Sequence, residues 1–149
     1  PHRCLADYFR SDRHDVVALT LASAGGRFSE VESELYSDGK FSDYHHLHGV
    51  SVDLAEAVAE ILHKQIRLEL NISEKEGSSL RDVKMRAYHG KRYSFGYAAC
   101  PDLELNRYLF DMLRPEEFGI ELGETFQMHP EQSTSALVVH HPEALYFAI

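Results

Sequence analysis

Apolar residues recur along this chain with two different periods, and the changes of period mark out its elements. Asp15–Ala22 is a short, apolar and β-branched run that predicts a buried strand, broken by Gly25-Gly26. Phe28, Val31 and Leu35 are spaced for a helix over 28–36, and Asp38-Gly39 marks a turn. The clearest helix covers Ser51–Leu70. There Leu54, Ala57, Val58, Ile61, Leu62, Gln65, Ile66 and Leu68 nearly follow the helical period. Glu56, Glu60, Lys64 and Arg67 mostly populate the other side, and Ser51 or Asp53 suits its N-cap. Asn71–Arg86 is polar and reads as a surface loop or a short charged helix. A second helix is predicted over Leu103–Leu113, stopped before Pro115. Strands follow around Ile120–Leu122, Thr125–Met128 and Ser135–His140, with Gly123-Glu124 as a hairpin turn and Leu145–Ile149 as a closing strand. Helices and strands do not alternate regularly, so the expected class is α+β: a mostly antiparallel twisted sheet with flanking helices.

Composition narrows this picture. With 149 residues, 44% of them apolar, the chain can bury one globular core. A net charge of −9 without any basic block makes nucleic acid and anionic membranes poor partners. Cys4 and Cys100 do not make a disulfide scaffold, so reduced thiols and a cytoplasmic location are the expectation. No apolar run approaches the ~18 residues needed to span a membrane. The chain opens on Pro-His, which reads as a piece of a longer polypeptide.

Candidate chemistry concentrates in Arg92-Tyr93-Ser94-Phe95-Gly96-Tyr97-Ala98-Ala99-Cys100-Pro101-Asp102. A guanidinium offers a rigid fork of donors that fits a carboxylate or phosphate in two parallel hydrogen bonds. A glycine between bulky neighbours lets a ligand approach bare backbone. Pro101 and Asp102 suit a helix start, where free N–H groups face the preceding loop. Together they read as a loop that cradles a small anionic molecule; an isolated surface arginine is the commonplace alternative. The histidines of Tyr44-His45-His46-Leu47-His48 and His140-His141 lack the spacing of known metal sites, so no metal ligand is assigned. Cys100 lies before a helix start but has no adjacent base, which favours a packed thiol over a reactive one. No catalytic residue is assigned, because no Ser-His-Asp arrangement is evident.

The same segment resembles the Arg-x-x-x-Gly-Tyr-x-Ala-Cys-Pro-(Asp/Asn) signature of the activation domain of cobalamin-dependent methionine synthase. The likeness continues through Glu121–Thr134, His141–Phe147 and, upstream, His48–Glu60, and so covers nearly the whole chain. The resemblance implies a methionine synthase activation-domain-like fold, and a single domain over 1–149 that lacks its N-terminal portion, where the family supplies another carboxylate to the ligand. It implies S-adenosylmethionine as ligand, with Arg92 on its carboxylate and Gly96 and Tyr97 beside it. Ser94 stands where the family uses backbone groups. Tyr146 matches a tyrosine that closes over the ligand, and Glu56 matches a glutamate near it; a half-buried strand tyrosine and a solvated helix glutamate are the plainer alternatives. His129–Thr134 is placed near the ligand or a partner, or is simply a turn. Phe95 departs from the proline of some members, which bears on loop stiffness rather than on a polar contact.

The function so implied is reductive reactivation: presentation of S-adenosylmethionine to cobalamin held by a neighbouring domain of the same polypeptide, with an electron from a flavodoxin-like or diflavin reductase donor. The domain would serve a methyltransferase and have no turnover alone. A stand-alone module that senses S-adenosylmethionine or docks onto a corrinoid protein is the alternative. A metal-dependent enzyme using the histidine-rich stretch is a third reading.

Overall fold

A computed structural model describes residues 4–73, 76, 79, 81–82 and 88–147. In chain order the elements are a 3-10 turn Leu5–Tyr8, β1 (Ala18–Ser23), α1 (Gly26–Ser37), α2 (Phe41–Glu69), β2 (Lys91–Ser94), a 3-10 turn Leu103–Leu105, α3 (Asn106–Leu113), a 3-10 turn Pro115–Phe118, β3 (Glu121–Leu122), β4 (Met128–His129) and β5 (Ser133–Val139). One sheet has the strand order β1-β5-β2, and β3 and β4 form a separate pair. β2 runs antiparallel to β5, with Lys91 opposite Val139 and Ser94 opposite Ala136. Helices with antiparallel strand pairs are the α+β class expected from the pattern.

The chain divides into two compact units. The first holds Pro1–Thr20, Ile61–Pro101 and Ala136–Ile149; the second holds Leu21–Glu60 and Asp102–Ser135. In the first unit, Tyr93, Ala99, Val139 and Ala144 form a buried cluster, with Leu5, Tyr8, Phe9, Leu137 and Phe147 packed against it. Gly90 enters β2 at φ +78°, and a Cβ there would meet the carbonyl oxygen of Val139 at 2.6 Å, so only glycine fits. In the second unit, Leu109, Phe110 and Ile120 are buried. There Asn106 is also buried: its Nδ2 donates to the Phe126 carbonyl (3.1 Å) and its Oδ1 accepts from Ser135 Oγ (2.6 Å). Asp102 caps the turn before α3 by accepting the Glu104 N–H at 2.9 Å, as the Pro-Asp pair predicts.

Several expectations need correction. α2 starts at Phe41, not near Ser51, so the histidine-rich stretch is helical and Ser51 and Asp53 are not caps. Its buried stripe is Ser51, Ala55, Ala59, His63 and Arg67, while Leu54, Ile61 and Leu68 are exposed. Arg67 is tolerated inside because Glu76 accepts from its guanidinium, which also lies 3.9 Å from the Tyr88 ring centroid. The β3–β4 connection is longer than a two-residue turn: Gly123 N–H donates to the Gln127 carbonyl (2.8 Å) and Phe126 takes φ +61°. The strand expected from Thr125 is therefore only Met128–His129. Leu145–Phe147 pairs with no strand among the described residues, and Ala148 and Ile149 lie outside them. Much of the polar stretch 71–86 also lies outside the described residues.

Candidate functional site

Arg92 does not sit in a loop. It is the second residue of β2, opposite Val138. Side chains alternate along a strand, so Arg92 and Ser94, both half-buried, share one face while Tyr93 and Phe95, both buried, share the other. That alternation from Arg92 to Phe95 was the missed signal for a strand. A strand holds the guanidinium on a stiffer base than a loop would.

The backbone turns immediately after β2. Gly96 takes φ +83°. Its N–H donates to the Cys100 carbonyl, and the Cys100 N–H donates back to the Tyr97 carbonyl, both at 2.8 Å. These bonds close a tight loop whose tip, Gly96-Tyr97-Ala98, is exposed while Ala99 and Cys100 are buried. A residue with a Cβ at φ +83° would be strained, so the turn by itself favours glycine here. Cys100 is buried and takes part in no disulfide among the described residues, in keeping with the packed reading.

Tyr146 belongs to the same unit. Its ring stacks on Tyr93, with centroids 6.1 Å apart and planes 10° from parallel, and it remains 46% exposed. Arg92, Ser94, Gly96, Tyr97 and Tyr146 thus all lie in the first unit, along β2, its loop and the segment that stacks on it. Glu56 belongs to the second unit, as an exposed residue of α2 beside the buried Ala55.

The second unit contains a polar cluster that pattern reading missed. Glu32, 5% exposed, accepts from Ser51 Oγ at Oε1 (2.8 Å) and from Gln132 Nε2 at Oε2 (2.6 Å), and His48 Nδ1 lies 3.1 Å from that same Oε2. Ser29 Oγ donates to Gln132 Oε1 at 2.8 Å. Gln132 comes from the His129–Thr134 stretch and is buried, so it serves packing within this unit. His45 and His48 both pack against the Tyr44 ring. Among the described residues no group of three or more His, Cys, Asp or Glu is placed to hold a metal ion. No helix among them is long and apolar enough to cross a membrane.

Residues 1–149 match the family described as the vitamin B12 dependent methionine synthase activation domain. The chain belongs to this family. Methionine synthase of Mycobacterium tuberculosis is 39% identical to it, over 98% of this chain and 13% of that protein. Methionine synthase of Mycobacterium leprae is 38% identical over the same shares. The chain therefore spans about an eighth of the curated relatives it matches, 13% of each. The crystal structure of the MetH reactivation domain bound to AdoHcy is similar at a TM-score of 0.82 and 25% identity, covering 89% of this chain and 41% of that one. The chain is thus an activation domain of the vitamin B12 dependent methionine synthase family.

Proposed function

We propose that this activation domain binds S-adenosylmethionine and presents it for reductive reactivation of the enzyme's cobalamin. The observation that carries the reading is the Arg92–Cys100 unit: a guanidinium fixed on β2, followed at once by an exposed loop tip with Gly96 at φ +83°. Arg92 would clamp the ligand's carboxylate through two parallel hydrogen bonds. Ser94 and Gly96 would offer backbone groups, Gly96 without a side chain to keep the ligand away. Tyr97 and Tyr146, both exposed, would flank it with ring surface. Arg92 and Tyr93 project to opposite faces of β2, so a ligand that touches both Arg92 and Tyr146 crosses the end of the strand at Gly96. These residues fit an amino-acid moiety attached to a flat, partly apolar group.

When bound, S-adenosylmethionine would supply a methyl group to cobalamin held by a neighbouring domain of the same polypeptide and leave as S-adenosylhomocysteine, with the electron for the cobalt coming from a reductase. The domain's own share is orientation and charge complementarity. Residues 1–149 act as one activation module of a longer cytoplasmic polypeptide, with a flavodoxin-like or diflavin reductase as electron donor and without turnover on their own.

Calorimetric titration of the chain with S-adenosylmethionine in EDTA tests the reading. Saturable binding without metal is expected. Binding that vanished in EDTA and returned with zinc would overturn it.

A further inference from the structure

Resting on that ligand reading, we infer that Tyr93 and Tyr8 are positioning residues that set Tyr146 for the ligand by holding the backbone of Leu145 between their hydroxyls. The Tyr93 hydroxyl donates to the Leu145 carbonyl at 2.8 Å. The Leu145 N–H donates to the Tyr8 hydroxyl at 3.3 Å. Both backbone polar groups of this one residue are therefore held by side chains, one from β2 and one from the 3-10 turn Leu5–Tyr8. The rings reinforce the arrangement: Tyr93 stacks on Tyr146 (6.1 Å, 10°) and on Tyr8 (6.4 Å, 23°).

These bonds matter because Leu145 and Tyr146 are themselves exposed, although Ala144 is buried and Phe147 packs on the same cluster. Leu145 is 49% exposed and Tyr146 46%. A cleft of about 560 Å³, lined by Cys4, Asp7, Tyr8, His141, Glu143 and Leu145, opens beside it. No strand among the described residues pairs with Leu145–Phe147. Side-chain burial alone does not fix the ring of Tyr146, whereas two hydrogen bonds at the preceding residue and a stack on a fully buried neighbour do. Tyr93 has 0% exposure and follows Arg92 directly, so the same strand that carries the guanidinium also anchors the tyrosine at the other side of the ligand. Tyr93 touches no ligand in this arrangement; it acts through Tyr146.

The test is a double-mutant cycle on the full chain, read by calorimetric affinity for S-adenosylmethionine and by apo melting. Tyr93→Phe keeps the stacked ring and removes the hydroxyl. It should weaken binding roughly three- to tenfold, the worth of one hydrogen bond. In a Tyr146→Ala background, the same Tyr93→Phe change should have no further effect on affinity, because the residue it positions is gone. A merely structural role would lower affinity equally in both backgrounds, and that result overturns the inference. Full affinity in Tyr93→Phe also overturns it. Should Tyr93→Phe fail to fold, Tyr8→Phe, which alters a bond at the exposed side of the segment, carries the same cycle. A wild-type chain that binds no S-adenosylmethionine overturns the ligand reading itself, a result distinct from normal wild-type binding with an unaffected variant.

Discussion

Glu32 and Arg92 are both charged side chains drawn partly out of water, and their surroundings differ in kind. Glu32, on α1, is sealed in: Ser51 and His48 from α2 and Gln132 from the stretch before β5 converge on its oxygens. Arg92 stands half-buried on β2, beside a loop tip that is exposed at Gly96, Tyr97 and Ala98. A cluster whose members satisfy one another stabilises a fold and leaves little capacity for a ligand. In the proposed reading, a strand-borne guanidinium next to exposed backbone and exposed rings receives a molecule that arrives from solvent. Access from solvent, more than residue type, separates the structural cluster from the candidate site.

The sharpest way to break this contrast is at its sealed side. Glu32→Ala should lower stability by about 2–4 kcal/mol, because Ser51 and Gln132 lose a buried acceptor. Affinity for S-adenosylmethionine, measured where the variant is fully folded, should be unchanged. Denaturant unfolding and calorimetry together check this, and a binding defect in the folded variant would place Glu32 in the site after all.

Arg92→Lys should do the converse. The ammonium keeps the charge but cannot make two parallel bonds to a planar carboxylate, so binding should weaken by on the order of 1–3 kcal/mol. Melting temperature without ligand should scarcely move. Equal calorimetric affinities for variant and wild type would remove Arg92 from the site.

Gly96→Ala sits between the two regimes. At φ +83° a Cβ is strained, so apo stability should fall by roughly 1 kcal/mol. The added methyl should also abolish the ligand-induced rise in melting temperature. A lower apo melting point with a full ligand-induced shift would mean that Gly96 serves the turn alone.

The smallest effect is expected at Asp15. Its carboxylate accepts the Arg10 N–H (2.9 Å) and the Val16 N–H (2.8 Å), which hold its pKa below the ordinary carboxylate value, with His140 nearby as a lesser cause. A depressed folded-state pKa adds stability above the unfolded value of about 4, and that stability is lost as pH falls through the folded value. Asp15→Asn should therefore melt slightly lower than wild type at neutral pH and converge with it in acid. A constant difference across that window would refute the assignment.

Much of the fold was legible where local pattern and tertiary packing agree. The runs around β1, α1, α3 and β5 are each apolar at one period and bounded by Gly, Pro or Asp, and each formed within a few residues of expectation. β2 was missed because its motif drew a loop reading, although Arg92-Tyr93-Ser94-Phe95 alternates as a strand does. The β3–β4 turn was misjudged because Phe126, a non-glycine residue, takes the left-handed conformation that Gly123-Glu124 seemed fit to supply. The proposed site was read from the sequence through Arg92, Gly96 and Tyr97, which share one local motif, and through Tyr146 by the family resemblance. Its supports were not, because Tyr8 lies 137 residues from Leu145 and Tyr93 lies 52 from it.

The sequence by itself determined the class of fold, the family, and the glycine at which the backbone must turn, for these depend on neighbours within a few residues. Only the tertiary structure decided which face of α2 goes inside. Hydrophobic periodicity favoured Leu54, Ile61 and Leu68, but burial falls on Ser51, Ala55 and Ala59; Ser51 donates there to Glu32, and pairing with Glu76 and Tyr88 makes Arg67 tolerable in the interior. Only the tertiary structure joined Gln132 to Glu32 across 100 residues. A period along one helix reports how apolar each face is, whereas the choice of face depends on the shape and hydrogen-bonding groups of whatever packs against it, and those come from elsewhere in the chain.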